Sequence, residues 1–251
     1  MTVQSRDFQP VFDEGRHPRA KLGFVLLATE QTVQDDMRTL CPDGVGMHFA
    51  RVTNSDSITN DSLAAIAPDL TRASSTLLPD GTLNVVSYAC TSGSLVLGQE
   101  RVEELLRAGN PNAKASSIIA AVIRALHAVE ARRIVVATPY LDEINTAERE
   151  YLTERGFEIL DIQGLNLERD SAMVRVAPSF LLDMAASMDR PDADAIFISC
   201  GALRSIDIID ALEARTGKPV ITSNQALAWD ALRLAGIADR RDGYGKLFST
   251  H

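Results

Sequence analysis

Two apolar runs in this chain each end on a cysteine and then on a turn. Residues 195–199 read Ala-Ile-Phe-Ile-Ser and pass into Cys200-Gly201, with a helical pattern from about Ser205 onward. Residues 84–88 read Asn-Val-Val-Ser-Tyr and pass through Ala89 into Cys90-Thr91-Ser92-Gly93. Runs this short and apolar are strands buried on both faces, the kind a parallel sheet covered by helices requires. Further strands are expected over 21–27, 47–52, 133–138, 157–162 and 217–222. Helical patterns are expected between them, over 28–40, 62–75, 98–108, 116–131, 139–156, 178–188, 206–215 and 224–235. Thr29 or Thr32 is the expected cap of the first helix, and Gly236 closes the last. Strands alternating with helices imply parallel sheets with helices on both faces.

The order also repeats. The strand, Thr-containing turn and helix at 22–40 recur at 133–155, and the two cysteine strands correspond. Ser116-Ser117 followed by Ala125-Leu126 echoes Thr222-Ser223 followed by Ala231-Leu232. This predicts an α/β fold of two pseudo-symmetric lobes, each a parallel sheet flanked by helices, with the active site in the cleft between them.

A length of 251 residues is ample for a packed core. The net charge of −9, with no Lys/Arg cluster, excludes bulk nucleic-acid binding. An anionic substrate stays possible, because turn amides make locally positive sites. No apolar run approaches the roughly 18 residues of a membrane helix. Residues 1–20 are polar, contain Pro10 and Pro18 and lack the apolar centre of a signal peptide, so an N-terminal arm and a cytoplasmic protein away from membranes are expected. Cys41, Cys90 and Cys200 are too few and too odd in number for a disulfide framework and read as reduced thiols.

Two facing lobes would put Cys90 and Cys200 on opposite sides of one cleft. A thiol on each face of a small planar centre can remove a proton, or add to carbon, on one side and deliver a proton on the other. Each thiolate needs a lowered pKa, which turn amides and helix starts supply. The Ser/Thr/Gly turns after both cysteines offer donors for a carboxylate and for the enediolate formed beside it. A lone buried cysteine is often only a small apolar side chain, and Cys41 reads that way. Tyr140 sits at a strand end, as a phenolic donor or a half-buried tyrosine. Glu30 is a first-turn helix acid or a substrate contact. Asp170 and Ser171 lie in a polar loop after a strand. Trp229 lies with Leu227 and Leu232 in the core. No CxxC or HxxxH spacing marks a metal site, no GxSxG elbow a hydrolase, and no GxGxxG or Walker motif a nucleotide site.

The segments Tyr88-Ala-Cys-Thr-Ser-Gly93, Ala137-Thr-Pro-Tyr140 with Asn145, Ser199-Cys-Gly-Ala-Leu203 and 217–229 resemble the aspartate/glutamate racemase superfamily over about residues 21–237. The similar branch holds maleate cis-trans isomerases, arylmalonate decarboxylases and ectoine-utilisation proteins of the EutA type. The resemblance implies cofactor-free catalysis between two lobes, with the C-terminal segment returning to the first. It gives a division into 21–113 plus 223–251, then 114–222, after the arm of 1–20. It implies Cys90 and Cys200 as catalytic residues, with Thr91, Ser92 and Tyr140 at a substrate carboxylate; Gly201, Glu30 and Ser171 are expected at the substrate too, although the isomerases carry an Asn near Asp170-Ser171 where this chain has none. The decarboxylases carry glycine at the position of Cys90, which disfavours decarboxylation here. Where maleate isomerases have a Pro-Ser-Ser-Asn turn, this chain has Leu27-Ala-Thr-Glu30, which fits a substrate bearing an ammonium group or a structural role.

The expectation is therefore a cofactor-independent, maleate-isomerase-like enzyme that converts a small carboxylate by two thiols. Amino-acid racemisation by two-thiol proton transfer is the alternative within the class, including an intermediate of ectoine breakdown. A non-catalytic small-ligand binding protein is the alternative outside it. A homo-oligomer is expected.

Overall fold

The computed structural model describes residues 3–251, and its strands form two four-stranded sheets. The first contains β1 (Ala20–Leu27), β2 (Val45–Val52), β3 (Val85–Tyr88) and β4 (Lys114–Ser117), in the order β2-β1-β3-β4. The second contains β5 (Arg133–Thr138), β6 (Glu158–Gly164), β7 (Ala195–Ile198) and β8 (Val220–Thr222), in the order β6-β5-β7-β8. All pairings are parallel, and the second order repeats the first. The α/β class with two flanked parallel sheets is thus as the sequence implies.

The inner strands are Val/Ile/Leu/Phe-rich because both of their faces are covered; Phe24 and Phe197 have no exposed surface. Burying one such side chain contributes about 1.5–3 kcal/mol. From β1 the chain crosses to β2 on one side, and β3 lies on the other. The connections after β1 and β3 therefore diverge and leave a crevice at the strands' carboxyl ends, where open α/β sheets bind ligands. The same switch falls between β5 and β7.

The helices are α1 (Val33–Leu40), α2 (Asn60–Ala64), α3 (Ala67–Ser75), α4 (Thr91–Leu97), α5 (Gln99–Gly109) and α6 (Ile118–Ala128), then α7 (Asp142–Glu154), α8 (Asp170–Met173), α9 (Pro178–Ser187), α10 (Ile209–Thr216), α11 (Ser223–Leu234) and α12 (Gly245–Thr250). A 3-10 turn, Ile206–Ile208, precedes α10. Helices α6 and α11 each start where an outer strand stops. Ser117 caps α6 by accepting the Ala120 N–H, and Thr222 caps α11 in a reciprocal box with Gln225. The two helices pack on each other, and α11 also lies on α1 and β3. Every residue from Ser223 to Leu232 is buried, so α11 is covered on all sides and joins the two halves.

Several expectations change. Residues 114–117 are a strand, not the start of a helix over 116–131: Ser116 and Ser117 pair with Ser87 and Tyr88, and the helix begins at Ile118. A division between 113 and 114 would therefore cut β4 from its own sheet. Helix α12 packs on β8 and α10 as well as α11, and the Gly245 N–H donates to Asp210 at 2.8 Å, so the end of 223–251 also touches the second half. The pattern over 62–75 divides into α2 and α3, with Pro68 in the first turn of α3. Helices α4 and α8 were not expected. Residues 3–19 carry no helix or strand, and Arg19 pairs with Asp239. Met1 and Thr2, the first residues of the expected arm, lie outside the described residues. Among the described residues no helix is long and apolar enough to cross a membrane.

Candidate active site

The two crevices meet in one pocket. The end of β1 supplies Leu27 and Glu30, the end of β3 supplies Ala89 to Ser92, the turn after β5 supplies Tyr140, and the end of β7 supplies Cys200 to Ala202. Ile58, Asp170 and Met173 close it. The pocket has a cavity volume of about 20 Å³, so it is a narrow slot. Among the described residues no lysine, arginine or histidine lines it.

Cys90 is the N-cap of α4. Its Sγ accepts the Gly93 N–H at 3.3 Å and lies 3.7 Å from Ser92 Oγ. Burial pushes this thiol up to about 11; the Gly93 amide and Ser92 hydroxyl work against the rise, and the charge of Asp170 adds to it. Gly93 is required by space: a Cβ there would sit 2.5 Å from Tyr88 Oη and 3.1 Å from the Cys90 sulfur. Tyr88 is fully buried with Cys90 near its hydroxyl, which has no hydrogen-bond partner among the described residues.

Cys200 has φ +98°, a left-handed backbone that costs a non-glycine residue on the order of 1–3 kcal/mol. The surroundings hold it there. Its N–H donates to Ser223 Oγ at 3.0 Å, and the Thr91 hydroxyl donates to the same oxygen at 3.1 Å, so Ser223 joins the two cysteine turns. Asn224 donates to the Gly201 carbonyl at 2.8 Å and to Asp36 at 2.7 Å, and the Thr32 hydroxyl donates to the Ala202 carbonyl at 2.9 Å. The Cys200 sulfur accepts the Ala202 N–H at 3.4 Å. Burial first, then the charge of Asp170, raises the Cys200 thiol above its ordinary range; the neighbouring Tyr140 hydroxyl and the Ala202 N–H work against this.

Tyr140 is fixed by its own turn. Its N–H donates to Thr138 Oγ1 at 3.2 Å, that hydroxyl donates to Asn145 at 2.5 Å, and Asn145 donates back to the Tyr140 carbonyl at 3.3 Å. Behind this turn Glu148 is fully buried and accepts the Ser199 hydroxyl at 2.6 Å, one residue before Cys200. Burial pushes its carboxyl up to about 7.

Thr32 holds the N-cap position of α1, as expected, but neither its side chain nor that of Thr29 makes a capping hydrogen bond. The Thr29 hydroxyl donates to Asp170 at 2.6 Å, and the Thr32 hydroxyl is turned to Ala202. Glu30 does the capping: its Oε1 accepts the N–H groups of Thr32 and Val33. Its Oε2 is buried with no partner. Burial raises the carboxyls of both Glu30 and Asp170.

Of the residues named from the sequence, Cys90, Cys200, Thr91, Ser92, Tyr140, Gly201 and Glu30 all line the slot. Ser171 does not. It is exposed, and both its N–H and hydroxyl donate to Asp56, because one residue along α8 it is Asp170 that turns inward. Cys41 is buried with its thiol pushed up to about 12, and Trp229 is buried on α11, as read from the sequence. Ser223, Asn224 and Glu148 escaped the sequence reading as site residues. They support the cysteine turns from other elements, and only the Thr222-Ser223 echo of Ser116-Ser117 pointed toward one of them.

A twice-repeated α/β unit with a cysteine after the third strand of each half defines a protein of the aspartate/glutamate racemase superfamily. Within it, residues 22–248 match the arylmalonate decarboxylase family, and the chain belongs to that family. The arylmalonate decarboxylase of Bordetella bronchiseptica is 40% identical over 131 residues, which span 51% of this chain and 55% of that protein. A structure of the maleate isomerase of Pseudomonas putida, with a cysteine replaced by alanine and maleate present, superposes with a TM-score of 0.85 at 25% identity, covering 92% of this chain and 97% of that one. An arylmalonate decarboxylase variant in liganded form, with a glycine changed to cysteine and a cysteine to serine, superposes with a TM-score of 0.83 at 27% identity, covering 92% and 100%.

Proposed function

We propose that this protein is a cofactor-independent isomerase of a small carboxylate, with Cys90 and Cys200 as its two reactive thiols. The observation that carries this reading is their convergence. Each follows the equivalent strand of its half, and both line one slot with Thr91, Ser92 and Tyr140. The family, with its isomerases and its decarboxylase, supports small-carboxylate chemistry.

In the maleate-type reaction the Cys90 thiolate adds to an alkene carbon. The π pair moves toward the carboxylate as an enediolate, held by the donors of the α4 turn. The former double bond rotates. Return of the pair re-forms the alkene and expels the thiolate, while the Cys200 thiol lends a proton to the carbanion and takes it back. Cys90 takes the part of nucleophile in this reading, its sulfur at the start of α4 receiving the Gly93 N–H and lying beside the Ser92 hydroxyl.

A second reading, amino-acid racemisation, draws support from the two acids in the slot. A dianion entering beside Glu30 and Asp170 meets like charge, and among the described residues no cationic side chain lines the slot to offset it. In racemisation one thiolate takes the α-proton and the opposite thiol returns one to the other face. The test is incubation without added cofactor with maleate and with single enantiomers of amino acids, followed by proton NMR and chiral chromatography. Fumarate from maleate supports the first reading, and an appearing antipode supports the second. Full activity in Cys90→Ser or Cys200→Ser would reject both.

A further inference from the structure

Two carboxyl groups enter the slot that the thiols share, and among the described residues no cationic side chain lines it. Glu30 and Asp170 are each only 6% exposed. Asp170 receives the Thr29 hydroxyl, and Glu30 uses Oε1 to hold the start of α1. Glu30 Oε2 accepts nothing, although it is buried in a residue of the slot wall. Arg51, the cation behind this turn, is occupied by the carbonyls of Leu27 and Glu30, both at 2.8 Å. A buried carboxylate oxygen without a donor marks a place where a donor belongs. Building on the two-thiol reading above, we infer that Glu30 and Asp170 form a subsite for the ammonium group of an amino-bearing carboxylate, in the simplest case an α-amino acid.

An ammonium group brings three donors and no acceptor, matching the unpartnered Glu30 Oε2 and the Asp170 carboxyl that lines the same slot. It also acts on the thiols. The charge of Asp170 raises both cysteines in the empty slot, and a cation between the acids cancels that field and favours a thiolate. A second substrate carboxylate would deepen the field instead. With the ammonium at the acids and the carboxylate at the α4 turn, the carbon joining them would be presented to the two thiols that line the same slot. One C–H bond breaks as an S–H bond forms, the electron pair rests in the enediolate, and the opposite S–H returns a proton to carbon. No oxidant or reductant is involved.

Charge-tagged thiol reagents test the subsite without relying on turnover. Methanethiosulfonates with a cationic aminoethyl, a neutral methyl and an anionic sulfonatoethyl group each form a mixed disulfide and release methanesulfinate. Their rates at Cys90 and Cys200, read by peptide mass spectrometry, are normalised to free cysteine. The expected cation-to-anion ratio exceeds that of free cysteine by about tenfold or more. Glu30→Gln keeps the oxygen that caps α1 and removes the charge, and it should lower the ratio severalfold. Asp170→Asn should do the same and serves if Glu30→Gln does not fold. Preference for the anion, a ratio unchanged in the folded variant, or no labelling by the cationic reagent overturns the subsite. The two-thiol reading fails separately, if a protein with the cation preference keeps full turnover as Cys200→Ser.

Discussion

Replacing Ser223 with alanine removes one oxygen at the junction of the two cysteine turns. That oxygen accepts the Cys200 N–H at 3.0 Å and the Thr91 hydroxyl at 3.1 Å, and all three residues are buried. Leaving a buried backbone N–H unsatisfied costs about 1–3 kcal/mol, and the stranded Thr91 hydroxyl adds about 1 kcal/mol. The start of α11 should survive, because Thr222 and Gln225 cap it independently. The expected loss is roughly 2–4 kcal/mol, and in a chain of this size each kcal/mol moves Tm by about 2–4 °C, so Tm should fall by roughly 4–16 °C. Cys200 at φ +98° then loses the acceptor that holds its N–H, so turnover should fall more than the stability loss alone accounts for at a temperature where the variant is folded. Calorimetry and the isomerase assay are run on the same preparation. A Tm within a degree or so of the parent, with full turnover, would refute the claim that Ser223 sets the Cys200 turn.

Tyr140→Phe should weaken substrate binding or the transition state by about 1–3 kcal/mol if its hydroxyl donates to a carboxylate, read as kcat/KM; unchanged kinetics reject that role. Gly164→Ala should impair activity through Tyr140, because a Cβ at Gly164 would sit 2.5 Å from the Tyr140 carbonyl oxygen and crowd Asn145; an unperturbed variant contradicts this packing. Glu148, ordinarily near 4.5, is pushed up to about 7 in the fold, so between these values the folded protein keeps a proton that the unfolded chain gives up. Stability should therefore fall as pH rises from about 4.5 to about 7, and Glu148→Gln should flatten that slope in urea unfolding. Asp36, pushed from 3.8 up to about 7, contributes in the same direction, so Asp36→Asn should flatten a further part.

The strands were readable because the physics that buries them is written locally. Residues 195–198 and 134–137 are apolar on every turn of the pleat, as a strand covered on both faces must be. The cysteines were readable because each sits where such a run stops. Lys114–Ser117 was not, since a short polar edge strand leading into an apolar helix leaves no periodic signal of its own. Ser171 was named where Asp170 faces the slot, because a one-turn helix such as α8 decides by single residues which side chain turns inward. The support around Cys200 was hidden for a different reason. Ser223, Asn224, Asp36 and Glu148 act across distances in sequence that no local pattern encodes, and each reads alone as an ordinary helix residue. Glu30 kept both meanings open in the sequence, and in the structure one oxygen caps α1 while the other remains free.

The central claim is that Cys90 and Cys200 work from opposite faces of one carbon centre. Proton NMR in D2O tests it directly, with the parent, Cys90→Ser and Cys200→Ser compared on the same substrate panel of small dicarboxylates and single-enantiomer amino acids. The account predicts conversion or deuterium entry at carbon with the parent and a loss of at least about a hundredfold in interconversion with either variant, the scale of a removed acid–base or nucleophilic group. Interconversion at the parent rate in either variant would contradict it.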